Sequence, residues 1–208
     1  MQLTAPSTEA EMVLQFLKME LTSPRFSQNL KNILATTQTD KKIITHGNLA
    51  SPQENHTRAE ILSIFRGYNR NAEIFENFPP AICWHWAIFN KNDLQKIIYI
   101  EYSYWNEISN YTGSPIEAAS TIRSGKIIFD VPNDRFLAAA QQLREGNRFP
   151  PLIFLTCPNQ ARFIILEGHL RMTAYALELD YFVDIPVLLG QCSSQALNAW
   201  YGKMPKRQ

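Results

Sequence analysis

Four apolar residues, Phe163, Ile164, Ile165 and Leu166, run into Glu167 and Gly168, and sequence with helical character follows without a break. The apolar run reads as a buried strand, so the chain has to pass from strand to helix almost at once. That junction demands a mixed architecture in which the end of a sheet feeds a helix. The first helical turn would carry backbone N–H groups without intrahelical partners and a partial positive charge, a natural seat for phosphate. Gly168 lets a ligand approach the backbone closely. Arg171, one turn into the helix, has a planar fork suited to phosphate or carboxylate. The plainer alternative is a strand-to-helix turn whose Glu167 and Arg171 pair with each other.

Apolar spacing predicts a helix over 9–21, with Met12, Val13, Phe16, Leu17 and Leu21 in phase, and a second over 24–36, opened by Ser23 and Pro24. Residues 36–56 are polar and include Gly47 and Pro52, which predicts a loop or linker. A short helix from Arg58 to Phe65 is expected to stop at Gly67. After an aromatic-rich segment from Ile74 to Trp86, Asn90 can cap a helix reaching Lys96, and Ile97 to Ile100 reads as a strand. Ser114 and Pro115 open a helix over 115–124 that Gly125 closes. The order expected from there is strand 127–131, helix 133–145, strand 152–156, a turn from Cys157 to Gln160, strand 162–167, helix 169–179, strand 183–189 and helix 194–201. Mixed strands and helices with a hairpin predict an α+β fold. The tail from Lys203 to Gln208 is expected to fray.

A hydrophobic fraction of 45% supplies enough core to exclude wholesale disorder. The formal net charge of +1 gives no global basic field for nucleic acid, although a local groove can still be basic. Cys83, Cys157 and Cys192 are odd in number and form no C-x-x-C pair, so neither a disulfide framework nor a zinc site is indicated. Free buried thiols in a reducing cytoplasm are expected. No signal-peptide pattern and no apolar run near ~18 residues appears, so no association with a membrane is expected.

The stretch from Leu166 to Ala174, Leu-Glu-Gly-His-Leu-Arg-Met-Thr-Ala, resembles the second signature box of the ParB/sulfiredoxin superfamily. There a strand ends in D/E-G-H-H-R, G-E-R-R or G-G-C-H-R. The segment from Phe136 to Gly146 followed by Pro150, Pro151, Leu152 and Ile153 is similar to that family's lead-in, and Ile185-Pro186-Val187 resembles its closing strand. The likeness spans residues 126–190. It implies an α+β protein in which a mainly helical N-terminal region, 1–125, packs on a ParB/sulfiredoxin-like mixed-sheet domain, 126–208, and forms one wall of its cleft. By this resemblance Gly168, His169, Arg171 and Thr173 would bind a nucleotide phosphate. Glu167 would bind a metal-bridged phosphate or polarise a substrate hydroxyl. His169 would donate to a phosphate or transfer a proton near neutral pH. The implied ligand is ATP, ADP or CTP with Mg²⁺, and the implied activity is that of a phosphotransferase or nucleotide hydrolase. A nucleotide- or DNA-responsive module without turnover and a ParB-like nuclease are the alternatives, the last without visible paired metal-binding carboxylates.

Departures from the family pattern narrow this. Sulfiredoxins carry a nucleophilic cysteine where this chain has His169, so peroxiredoxin repair is excluded. Only 18 residues follow residue 190, too few for the helix-turn-helix domain of a partition clamp. Leu170 removes the second His of the D-G-H-H-R pattern and weakens the likeness to the superfamily's free-serine kinases.

A kinase of that kind needs a carboxylate base, and Asp130 and Asp134 are the candidates, although an acid in a first helical turn such as Asp134 is commonplace. Arg135 and Arg144 can add phosphate contacts or simply be solvated. Trp84, His85 and Trp86 with Tyr102, Tyr104 and Trp105 can form a wall that stacks a base, or belong to the core. Arg66 and Arg70 flank the Gly67 turn. His46 and His56 lack metal-ligand spacing, and Cys157 at a strand end is not favoured as a nucleophile.

Overall fold

The computed structural model describes residues 1–159 and 162–202, so Gln160 in the expected turn and the tail from Lys203 lie outside the described residues. Strand β1 (Gln2–Pro6) opens the chain, followed by β2 (Cys83–Phe89), β3 (Ile97–Ile98), β4 (Leu152–Thr156), β5 (Phe163–Glu167) and β6 (Ile185–Gln191). They form one mixed six-stranded sheet in the order β1-β2-β6-β4-β5-β3. β4 and β5 make an antiparallel hairpin, β4 runs parallel to β6, and β6 runs antiparallel to β2. All five residues of β4 are buried, as a strand covered on both faces requires.

Helices cover the two faces. One face carries α6 (Pro115–Arg123), α7 (Asp134–Arg144) and α8 (His169–Leu177), packed on Phe89, Phe154, Ile165 and Val187. The other carries α1 (Glu9–Thr22), α2 (Ser27–Thr36), α4 (Pro52–Arg66) and α9 (Ser194–Tyr201), packed on Ile153, Leu155, Ile164 and Leu188. Alternate residues of β4 and β5 therefore serve different cores, which is the two-residue period of a strand. The short helices α3 (Lys42–Thr45) and α5 (Ser103–Ile108) and three 3₁₀ turns, Glu73–Phe75, Lys91–Lys96 and Leu179–Tyr181, complete the described chain.

The α+β class stands, with corrections. Residues 1–125 contribute β1, β2 and β3, so a boundary after residue 125 cuts through the sheet instead of separating a helical region from a sheet domain. The stretch 127–131 is no strand but a tight turn closed by one bridge, Ile128 to Val131, with Phe129 and Asp130 both left-handed. The expected loop 36–56 contains α3 and the start of α4, which Ser51 caps through Glu54 N and Pro52 opens. Gly67 stops α4 with a φ of 78°, as expected. The strand at 97–100 shrinks to two residues, and β1, β2 and α5 appear where no element was expected. β1 is exposed throughout, so it has no apolar pattern to read.

Candidate functional site

A cleft of about 880 Å³ opens where the end of β5 meets α1, the α1–α2 turn, the end of α4 and the start of α5. Glu167, Gly168, His169 and Leu170 line it from the strand-to-helix turn. Residues 1–125 supply Glu20, Arg25, Phe26, Arg66, Tyr102, Tyr104 and Trp105, so the N-terminal half does form a wall of the cleft.

Within the turn, each side chain of the expected phosphate set has its own task. Gly168 takes a φ of 106°, and a Cβ there would collide with the side chain of Leu152. The glycine is thus required by packing as well as by the turn. Arg171 Nη1 donates to the carbonyls of Pro150 and Pro151, each at 2.8 Å, and Nη2 binds Glu167 in a short ion pair. Both partners are mostly buried, and Arg171 does not border the cleft. The guanidinium fork is therefore spent on the protein, which is the plainer of the two expected arrangements. Thr173 is fully buried. Its hydroxyl donates to His169 O at 2.8 Å and accepts from Tyr99 Oη at 2.6 Å, which removes it from any phosphate.

His169 borders the cleft as part of a stack of rings. Trp105 lies 5.0 Å from it at 22°, and Tyr99 stacks on Trp105 at 4.6 Å. Burial first, then the charges of Arg66 and Arg171, push the imidazole down to about 3. That shift disfavours the proton transfer expected of it near neutral pH. Its Nε2 is sealed from solvent and has no hydrogen-bond partner.

The cleft's cationic groups come from elsewhere. Arg25 (α1–α2 turn), Arg66 (last residue of α4) and Arg135 (first turn of α7) all line it. Burial, then the fields of Arg135 and Arg66, lower Arg25, so these three guanidinium groups feel one another across the opening. Arg25 and Arg66 lie against the Phe26 ring at 4.7 and 4.9 Å, and Arg135 lies against Phe136 at 4.9 Å and Tyr104 at 5.7 Å. Arg66 meets Glu20 Oε1 at 3.4 Å and has Glu73 Oε2 3.3 Å from its Nε. Among the described residues neither Arg25 nor Arg135 pairs with a carboxylate.

Glu20 is buried at the floor of this cluster. Burial and the neighbouring Glu167 push its carboxyl up to about 7, against the opposing pull of Arg66, Ser23 and Arg171. Sequence reasoning missed Glu20 and Arg25. Glu20 left a signal: it stands four residues after Phe16 and three after Leu17, in phase with an apolar stripe. Arg25 left none.

The other candidates scatter. Asp130 sits exposed on its turn and does not line the cleft, although Phe129 and Val131 beside it do. Asp134 is exposed at the start of α7, and Arg144 pairs with Glu178. Trp84 is buried in the core, so the aromatic wall consists of Tyr102, Tyr104, Trp105 and Phe26 without the Trp84 to Trp86 segment. Arg70 and His56 line a separate groove, and His46 contacts Thr45. Cys157 is buried, with its Sγ 2.8 Å from Asn159 Oδ1. No described group of three or more His, Cys, Asp or Glu residues is placed to hold a metal. A Mg²⁺ ion does not fit this cleft, because Glu167 is committed to Arg171, Glu20 and Glu73 both face Arg66, and Arg25 and Arg135 add further positive charge. No helix among the described residues is long and apolar enough to cross a membrane.

Compared with protein-family models, with characterised proteins and with solved structures, the chain matches none.

Proposed function

We propose that this protein binds a nucleotide or another small phosphorylated ligand in the cleft, with the phosphate at Arg25 and Arg135 and a planar group against the aromatic wall. The observation that carries this reading is the convergence of Arg25, Arg66 and Arg135, from three separate elements, on one concave space. Gathering like charges costs free energy, and an anion that bridges them offsets that cost. The N-terminus of α8 borders the same space through Gly168 and His169, and its first-turn N–H groups favour negative charge. The likeness of residues 166–174 to the ParB/sulfiredoxin box supports the same ligand class, with the phosphate grip transferred from Arg171 to the arginines of other elements. Phosphotransfer, nucleotide hydrolysis and regulation without turnover all begin with this binding step. DNA is a weaker fit, because the basic groups line a recess and the chain as a whole carries a formal charge of only +1.

Calorimetric titration with ADP, ATP, CTP, GTP and pyrophosphate tests this. The wild type should bind at least one of them, and Arg25→Ala with Arg135→Ala should lose that binding while remaining folded. Silence from the folded wild type toward every one of these anions, or binding that the double variant keeps, would overturn it.

A further inference from the structure

We propose that Glu20 is the proton-exchanging residue of this cleft, the group that gives a proton to, or takes one from, a bound anionic ligand. The inference rests on the anion-binding reading above and deepens it. Glu20 reaches the floor from α1 with a side chain only 6% exposed, so water screens it little. Its one ion-pair partner among the described residues is Arg66, at the long distance of 3.4 Å, and Arg66 also faces Glu73 at 3.3 Å. The other groups that face it are Glu167, whose charge is held by Arg171, the hydroxyl of Ser23, and Arg25. His169, which burial and the nearby arginines push toward its neutral form, lines the same cleft.

A buried carboxylate whose one ion-pair partner also faces a second carboxylate is under-compensated, and binding a proton is the cheapest relief. Burial and Glu167 accordingly raise Glu20 to about 7, the range in which a group can both lose and accept a proton under physiological conditions. An anion held by Arg25 and Arg135 offsets the positive field of Arg25 that Glu20 feels and adds its own negative field. Glu20 then takes up a proton as the ligand arrives, and the new O–H can donate to a ligand oxygen. Ionised, the same group accepts from a ligand hydroxyl or ammonium. Asp130, solvated on its exposed turn, has neither the burial nor the access to do this.

The test is ¹³C NMR of the full chain labelled at glutamate side-chain carboxyls, titrated with pH in the absence and presence of pyrophosphate. Glu20→Gln identifies the Glu20 resonance by its disappearance. One carboxyl should titrate near neutrality, vanish in Glu20→Gln, and shift its midpoint upward when pyrophosphate is present. A Glu20 resonance that titrates in the ordinary carboxylate range, or that ignores pyrophosphate while binding still depends on Arg25 and Arg135, would overturn the proton-exchange role alone. No binding of pyrophosphate by the wild type, in calorimetry or in the spectra, would overturn the anion-binding reading and this inference with it.

Discussion

Arg171 in the strand-to-helix turn and Arg25 at the rim of the cleft carry the same guanidinium and meet opposite circumstances. Arg171 is mostly buried and hydrogen-bonded to two carbonyls and a carboxylate. Arg25 is exposed, pairs with no described carboxylate and feels two other arginines. A charge is available to a ligand only where the fold has left it uncompensated. Arg171, with the more suggestive sequence context, ties the turn to the Pro150–Pro151 segment, and Arg25, with no motif around it, is free to act.

Exchanging these roles experimentally should give effects of falling size. Arg171→Ala leaves Glu167 and two carbonyls without their donor, and should cost about 3 kcal/mol in urea unfolding. If the loss is negligible and an anion site weakens instead, the contrast between the two arginines fails.

A comparable effect belongs to two titratable groups behind them, Glu20 and His169. Because the folded-state value of Glu20 is raised, its contribution to stability is fully present below about 4.5 and is lost as pH rises through about 7. That loss should be on the order of 3 kcal/mol. His169 is depressed, so its contribution is present above 6.5 and is lost as pH falls toward about 3. Urea midpoints for Glu20→Gln between about pH 5 and pH 8 should therefore rise with pH, the slope of His169 alone. An unchanged profile would show that Glu20 titrates like a surface carboxylate.

Arg25→Ala should change stability by less than about 1 kcal/mol while weakening pyrophosphate binding about tenfold, and Arg135→Ala should behave alike. Calorimetry and melting curves on the same samples check both halves of that statement. Asp130→Asn should be the smallest perturbation, within about 0.5 kcal/mol in stability and without effect on anion binding. A clear loss of binding there would return the base to the 127–131 turn.

The strand-to-helix turn was legible because its signal is local: an apolar run, a glycine and a helical period lie within one short stretch. The same holds for α1, for the stop of α4 at Gly67 and for the Ser114 cap of α6. The segment 127–131 misled because Ile127, Ile128, Phe129 and Val131 read as a strand by composition. Ile127 and Phe129 are in fact exposed, and the backbone turns left-handed at Phe129 and Asp130. The cleft itself was only half legible. The turn that lines it, Glu167 to Leu170, is contiguous in sequence, whereas Arg25, Arg66 and Arg135 meet only after the fold has brought together segments far apart in the chain, and no window of sequence contains that meeting. Whether Glu167 would pair with Arg171 or with a ligand was likewise undecidable until Pro150 and Pro151 were seen to supply the other acceptors.

The position of β6 also governs how the molecule comes into being. Its residues pair with β2 on one side, Cys83 with Gln191 and Phe89 with Ile185, and with β4 on the other. The β4–β5 hairpin is local and can form early, whereas β1 reaches β2 only across the long helical segment between them, and the β1–β2 pair joins β4 only through this late strand. Closure of the sheet is therefore a long-range event with a large loop to restrain, so folding should be slow for a chain this rich in helix. Until it happens, the edges of β2 and β4 stand open beside uncovered apolar residues, and during synthesis that interval is when the chain is most exposed to aggregation.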